Sequence, residues 1–160
     1  MKLFLECKPD ETLAVALGVS PRAVIHCHGK GKVSRNLRDH AGVTGMVDED
    51  AGSTETPTLR KFAEVSNAYN VRLKLNEGQK NRLVAICPKL EDWVIETAKA
   101  SHVKMAKYNL SENPNALHAD INYRLPNFQR LLAELLVLKS PRLLRLQALL
   151  AGGSDRPQKS

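Results

Sequence analysis

The sequence predicts an α/β protein: a mainly parallel sheet with helices on both faces, followed by a C-terminal helical appendage. Three observations predict it. Short apolar runs alternate with helix-patterned segments through the first hundred residues, as βα units do. After the polar break "NLSENPN" the strand-like runs stop and leucines at helical spacing take over. A chain of 160 residues makes one domain of ordinary size with a real core.

The elements follow in order. "KLFLE" is a first apolar strand, and "PDETLAVALG" a helix entered at Pro9 and Asp10 and stopped at Gly18. "AVIHCHG" gives a second strand over 23–28. "KVSRNLRDH" is basic and amphipathic, with Val33 and Leu37 at i and i+4. "VTGMV", Val43 to Val47, has the β-branched, apolar make-up of a buried strand. A helix is expected from Leu59 to Ser66, since Leu59, Phe62 and Ala63 share a helical face. "NVRLKLN" alternates Val71, Leu73 and Leu75 with Arg72 and Lys74, which marks a half-exposed strand near the sheet edge. "NRLVAIC" is a further strand and "PKLEDWVIETAKA" a helix begun near Pro88. Two leucine-rich helices close the chain, "LPNFQRLLAELLVL" and "SPRLLRLQALLAG", the second capped by Ser140 with Pro141 at its first position. The expected units are an α/β domain over 1–102, a helical extension over 103–151 packed on it or on a partner, and a disordered tail over 152–160.

Composition narrows the function. The start "MKLFLECKPDE" has neither the length nor the flanks of a signal peptide, and no run approaches the about 20 apolar residues of a membrane helix. A cytoplasmic protein with no membrane partner is expected. Cys7, Cys27 and Cys87 are isolated and odd in number, which predicts reduced thiols rather than disulfides. Residues 103–160 hold nine Lys and Arg against four Asp and Glu, so this segment carries most of the net charge of +7. Bases hold phosphates and acids hold cations, so a basic surplus beside an acidic pocket suits a protein that handles a polyanion while binding metal. General solubility produces the same balance.

The acids carry the chemistry. In "DEDAG" Asp48 and Asp50 fall just past the carboxyl end of the Val43–Val47 strand, the edge where open α/β sheets bind ligands. Glu6 ends the first strand and Asp10 follows four residues on, so two strands deliver carboxylates to one edge. Such acids repel one another unless a cation lies between them, and oxygen donors suit magnesium, manganese or calcium. A solvated acidic turn has the same composition. "HGKGKVSRN" leaves the second strand at that edge and offers Lys30 and Lys32 to a phosphate, but it lacks the first glycine and the hydroxyl of a Walker loop. A flexible basic turn is the plainer alternative. His26 and His28 share a strand face, with no third metal ligand close in sequence.

"ECKPD" followed by "DEDAG" resembles the Toprim family, whose members have Glu-Gly-x-x-Asp after strand one and Asp-x-Asp, often near a glycine, after strand three. The likeness covers residues 1–100. Cys7 stands where the family commonly has glycine, which touches the geometry of that turn but no ligand. The resemblance implies a Toprim-like, Rossmann-like fold and a nuclease or nuclease subunit that cleaves phosphodiesters in DNA or RNA. One or two Mg2+ or Mn2+ ions would be held by Glu6, Asp48 and Asp50, with Asp10 beside them and Glu6 also acting as base. "PKLEDWVIETA" is similar to a late segment of OLD-type nucleases, which implies Lys89 near the scissile phosphate and Glu91 or Asp92 at a second metal. Phage defence follows by analogy with those nucleases. Glu91 and Asp92 read equally as ordinary first-turn acids of a helix and Lys89 as a solvent-exposed residue. The partners implied are a nucleic acid, an ATPase or other regulatory protein, or a second copy through the leucine-rich helices. Arg142 and Arg145 distinguish a nucleic-acid surface on those helices from packing. The rival reading is a non-catalytic module that keeps the fold and binds a protein.

Overall fold

Leu3–Leu5 (β1) is entirely buried and forms parallel pairs with Val24–His26 (β2) on one side and Thr44–Asp48 (β3) on the other. The computed structural model describes residues 1–49 and 55–153. β3 pairs in parallel with Asn81–Ile86 (β6), which continues antiparallel into Val71–Asn76 (β5) and Ala63–Ala68 (β4). The result is one six-stranded sheet in the order β2-β1-β3-β6-β5-β4, mostly parallel and Rossmann-like.

Helices cover both faces. Lys8–Ala16 (α1) leads from β1 to β2, and Lys30–Asp39 (α2) leads back across β1 to β3. These two connections step in opposite directions along the sheet, so with one handedness they place their helices on opposite faces. α1 joins Leu90–Ala100 (α3), Leu125–Val137 (α5) and Pro141–Leu150 (α6) in the larger core around Trp93, Phe128 and Leu13. α2 seals the smaller core with Val33 and Leu37 against Phe4, Val47 and Leu83. Gly45 lets α2 approach β3, because a Cβ there would stand 2.9 Å from Leu37 Cδ1 and 3.2 Å from Val33 Cγ1. Gly45→Ala is expected to cost about 1–3 kcal/mol through overpacking, read as a lower urea midpoint at unchanged slope.

The expected helix over Leu59–Ser66 is not formed. A short 3-10 turn, Leu59–Lys61, gives way at once to β4. Pairing with β5 overrides the helical spacing, and the hairpin turns on Tyr69 and Asn70, both left-handed at φ 53 and 58. A two-residue turn of that hand normally advertises itself with glycine. Here no glycine marks it. The segment after residue 109 also holds a helix that was not expected, Pro114–Tyr123 (α4), with Asn113 accepting from the Asn115 and Ala116 amides at 3.0 and 3.2 Å. α5 and α6 form as expected, and the Ser140 hydroxyl accepts from the Leu143 amide at 3.4 Å. Their leucines pack into the same core as β1, so the helical extension is continuous with the sheet domain. The three cysteines are free thiols. Among the described residues no helix is long and apolar enough to cross a membrane. Most of the expected tail lies outside the described residues.

Four parallel strands, β1, β2, β3 and β6, end on one edge, and α1, α2 and α3 begin there.

Candidate functional site

β1 runs directly into Glu6, whose Oε2 accepts from the Asp48 backbone amide at 2.8 Å. This bond ties the ends of β1 and β3 together. Cys7 then begins α1 with φ −144 and ψ 171, extended backbone that any residue adopts, so the turn needs no glycine. Asp10, one turn later, accepts at Oδ2 from the Cys7 amide at 3.2 Å and the Cys7 thiol at 3.1 Å. Asp10 is 2% exposed. Burial pushes its carboxyl up to about 7, with the Glu6 and Glu91 charges adding to the rise and the Cys7 bonds opposing it.

Asp48 is the centre of the cluster. Burial, then the charges of Asp10, Glu6 and Glu91, push its carboxyl up to about 8, against one stabilising bond from the Leu90 amide at the start of α3. Among the described residues Asp48 Oδ1, which is buried, has no hydrogen-bond partner. The next acid goes elsewhere. Glu49 faces Lys74 at 2.8 Å, Arg72 at 3.2 Å and the Cys87 thiol at 3.1 Å. Burial alone would raise it, but these donors hold it below the usual carboxylate range. The alternation of side chains along a strand sends Asp48 to the site and Glu49 to the ion pairs. Asp50 lies outside the described residues.

α3 supplies the late segment. Lys89 is the exposed cap residue, Glu91 is buried and Asp92 half-buried. All three line a cleft of about 670 Å³ between the start of α3 and the start of α4, with Asn115 and His118 opposite. Glu91 Oε1 lies 2.6 Å from His118 Nδ1. The sequence reading missed His118, which is 27 positions from its partner on a helix that was not expected. Lys30 and Lys32 occupy the first turn of α2 at the same sheet edge, behind Gly29, whose φ of 137 favours glycine. His26 and His28 stack their rings 4.1 Å apart.

Glu6, Asp10, Asp48 and Glu91 thus act on one another electrostatically, yet among the described residues no three His, Cys, Asp or Glu are arranged as a ligand cage. The hydrogen bonds explain the difference: Glu6 Oε2 is turned to the Asp48 amide and Asp10 Oδ2 to Cys7. No protein-family model matches the sequence, and no curated protein and no solved structure matches it significantly. The donor set is all oxygen, and among the described residues Asp48 keeps one oxygen unpartnered, which fits a hard divalent cation.

The arginines of the C-terminal helix are packing residues. Arg142 donates to Thr97 Oγ1 at 2.8 Å and stacks its guanidinium 5.3 Å from the Trp93 ring. Arg145 donates to the Ala68 and Val71 carbonyls at 2.6 and 2.7 Å, clamping the β4–β5 turn.

Proposed function

We propose that the carboxyl edge is a metal-dependent phosphodiesterase site of the Toprim type, acting on nucleic acid. The observation that carries the reading is Asp48: carboxylates from the end of β1, from α1 and from α3 converge on it, and among the described residues one of its buried oxygens has no partner. Holding mutually repelling acids out of water costs stability, and a cation offsets that cost. Glu6 and Asp48, joined by Asp50, would hold Mg2+ or Mn2+, with Asp10 behind them and Glu91 and Asp92 beside a second ion. When bound, such ions supply Lewis-acid stabilisation of the attacking and leaving oxygens. Asp10 and Asp48, protonated in the metal-free fold, would give up those protons for a cation to be held there. Glu6, half-buried at the end of β1, would accept the proton of the attacking water. Lys89, exposed on the cleft rim, balances charge that grows on the phosphoryl oxygens.

Incubation with labelled DNA and RNA, with and without Mg2+ or Mn2+, tests the reading. Wild type should cleave at least one of them only with metal, and Glu6→Gln should reduce the rate by at least about a thousandfold, the scale of losing both a ligand and a base. Metal-independent or absent cleavage by wild type sinks the proposal. The second reading, a protein-binding module, is favoured by Val137, Leu138 and Leu144, which lie 80%, 51% and 40% exposed on α5, α6 and their connection.

A further inference from the structure

On the sheet face opposite the C-terminal helices, α2 forms one wall of a groove of about 680 Å³. Gly31, Ser34, Arg35 and Arg38 line it, spaced i, i+3, i+4 and i+7, a single helical stripe beside the buried Val33 and Leu37. The facing wall is Thr56, Thr58 and Lys61, before and within the 3-10 turn, and the far end is closed by Asn76 and Gln79 of the β5–β6 turn. Three cations and several neutral donors thus face one concavity. Among the described residues no carboxylate lines it, though the Arg38 guanidinium also pairs with the adjacent, exposed Asp39 carboxylate at 2.9 Å, a contact that a phosphate would have to displace or share.

The groove is held in shape from both sides. Ser34 Oγ and Thr56 Oγ1 share a hydrogen bond at 2.6 Å, and Thr56 Oγ1 accepts from the Leu59 amide at 3.3 Å. Gln79 Nε2 donates to the Arg38 carbonyl at 2.9 Å, and Asn76 Nδ2 to Gln79 Oε1 at 3.2 Å. Packing of α2 on Gly45 fixes the floor. Walls that need no rearrangement lose little entropy when a ligand enters. The α2 stripe from Gly31 to Arg38 gives the groove a length of about 10 Å. Its Gly31 end lies where α2 leaves the carboxyl edge that bears Glu6 and Asp48.

We propose that this α2 groove is a track for the sugar-phosphate backbone of nucleic acid, leading it to the carboxyl edge. Arginine forks and hydroxyl donors suit phosphate oxygens, and Gly31, having no side chain, leaves the helix backbone open to close approach. A concavity walled on two sides fits a strand and not a flat lipid surface. The assignment rests on the proposed reading of the edge and adds where its substrate lies: along α2, not along the C-terminal helices, whose Arg142 and Arg145 are engaged in packing.

The test is equilibrium binding of labelled mixed-sequence DNA and RNA, single-stranded and duplex, in EDTA over a range of salt. Arg35→Ala/Arg38→Ala should lower the slope of log affinity against log salt by roughly 1.4–1.8, the loss of two phosphate contacts. The exposed Lys61→Gln should lower it by roughly 0.7–0.9. Lys99→Ala/Lys104→Ala, which removes two charges lining a separate cavity at the far end of α3, should leave it unchanged. Thermal melts and manganese titrations of each variant should match wild type. An unchanged slope in both groove variants, an equal fall in the Lys99/Lys104 pair, or no nucleic-acid binding by wild type overturns the track. If wild type binds no manganese and cleaves nothing while binding still depends on Arg35 and Arg38, the track stands and the reading of the acidic edge fails.

Discussion

Asp48→Asn is expected to abolish manganese binding while leaving the metal-free protein at least as stable as wild type. The amide oxygen still accepts the Leu90 amide that the carboxylate accepts, so the packing at the start of α3 is kept. What is lost is a carboxyl whose ionised form burial and the charges of Asp10, Glu6 and Glu91 all oppose. Wild type at about a hundredfold excess of manganese over its Kd should gain about 2.7 kcal/mol, since only the folded chain presents the site. The variant should gain nothing. Calorimetric titration gives the affinity and melts with and without manganese give the stabilisation. Equal manganese affinity in the two proteins would remove Asp48 from any metal site.

Metal-free wild type should lose stability as pH rises from about 4 to about 8. The direction follows from proton counts. Asp10 and Asp48 hold protons in the folded chain up to about 7 and about 8, whereas the unfolded chain releases them near 3.8. Between those limits the folded state binds more protons, so the free energy of unfolding falls with rising pH. The contribution is complete below the unfolded value and gone above the folded one, and each raised unit corresponds to about 1.4 kcal/mol. Mutual coupling of the two acids keeps the total on the order of a few kcal/mol. Urea midpoints in EDTA at about pH 5 and about pH 9 measure it. Asp48→Asn should flatten the dependence by removing one titrating group and easing the other. Manganese should flatten it from the other side, since metal and protons compete for the same oxygens and the cation stabilises most where the acids are ionised. A wild-type midpoint that rises over this interval would contradict the buried, protonated state of these carboxylates.

Glu6 and Asp48 could be placed from sequence because a strand end is a local signal: an apolar run followed by an acid states both position and edge. Asp10 followed from its helix entry. His118 had no such signal, for its contact with Glu91 depends on α4, whose start in "NPNALHAD" looks like a polar loop until Asn113 is seen capping it. β4 was hidden by a competing periodicity and by a hairpin turn built from Tyr69 and Asn70 without glycine. The role of Arg142 and Arg145 stayed open in the sequence for a different reason. Charge counted along a chain says nothing of direction, and these two side chains point inward to carbonyls, a hydroxyl and an indole. The basic stripe of α2 was visible as an amphipathic pattern, but its opposite wall comes from a separate segment beginning at Thr56, beyond β3.

The stitches made by α6 impose an order on events during synthesis. Arg145 holds the β4–β5 turn, Gln147 donates to the Leu17 carbonyl at the end of α1, and Arg82 of β6 donates to the Leu149 and Gly153 carbonyls. Each joins a segment translated early to one translated late. A nascent chain still on the ribosome with α6 in the exit tunnel therefore holds a sheet whose larger core is uncovered and whose outer hairpin is unclamped. Chaperones or aggregation partners would meet that intermediate rather than the finished surface. Stop codons that remove α6 should accordingly yield insoluble chains even though every residue of the acidic edge has been made.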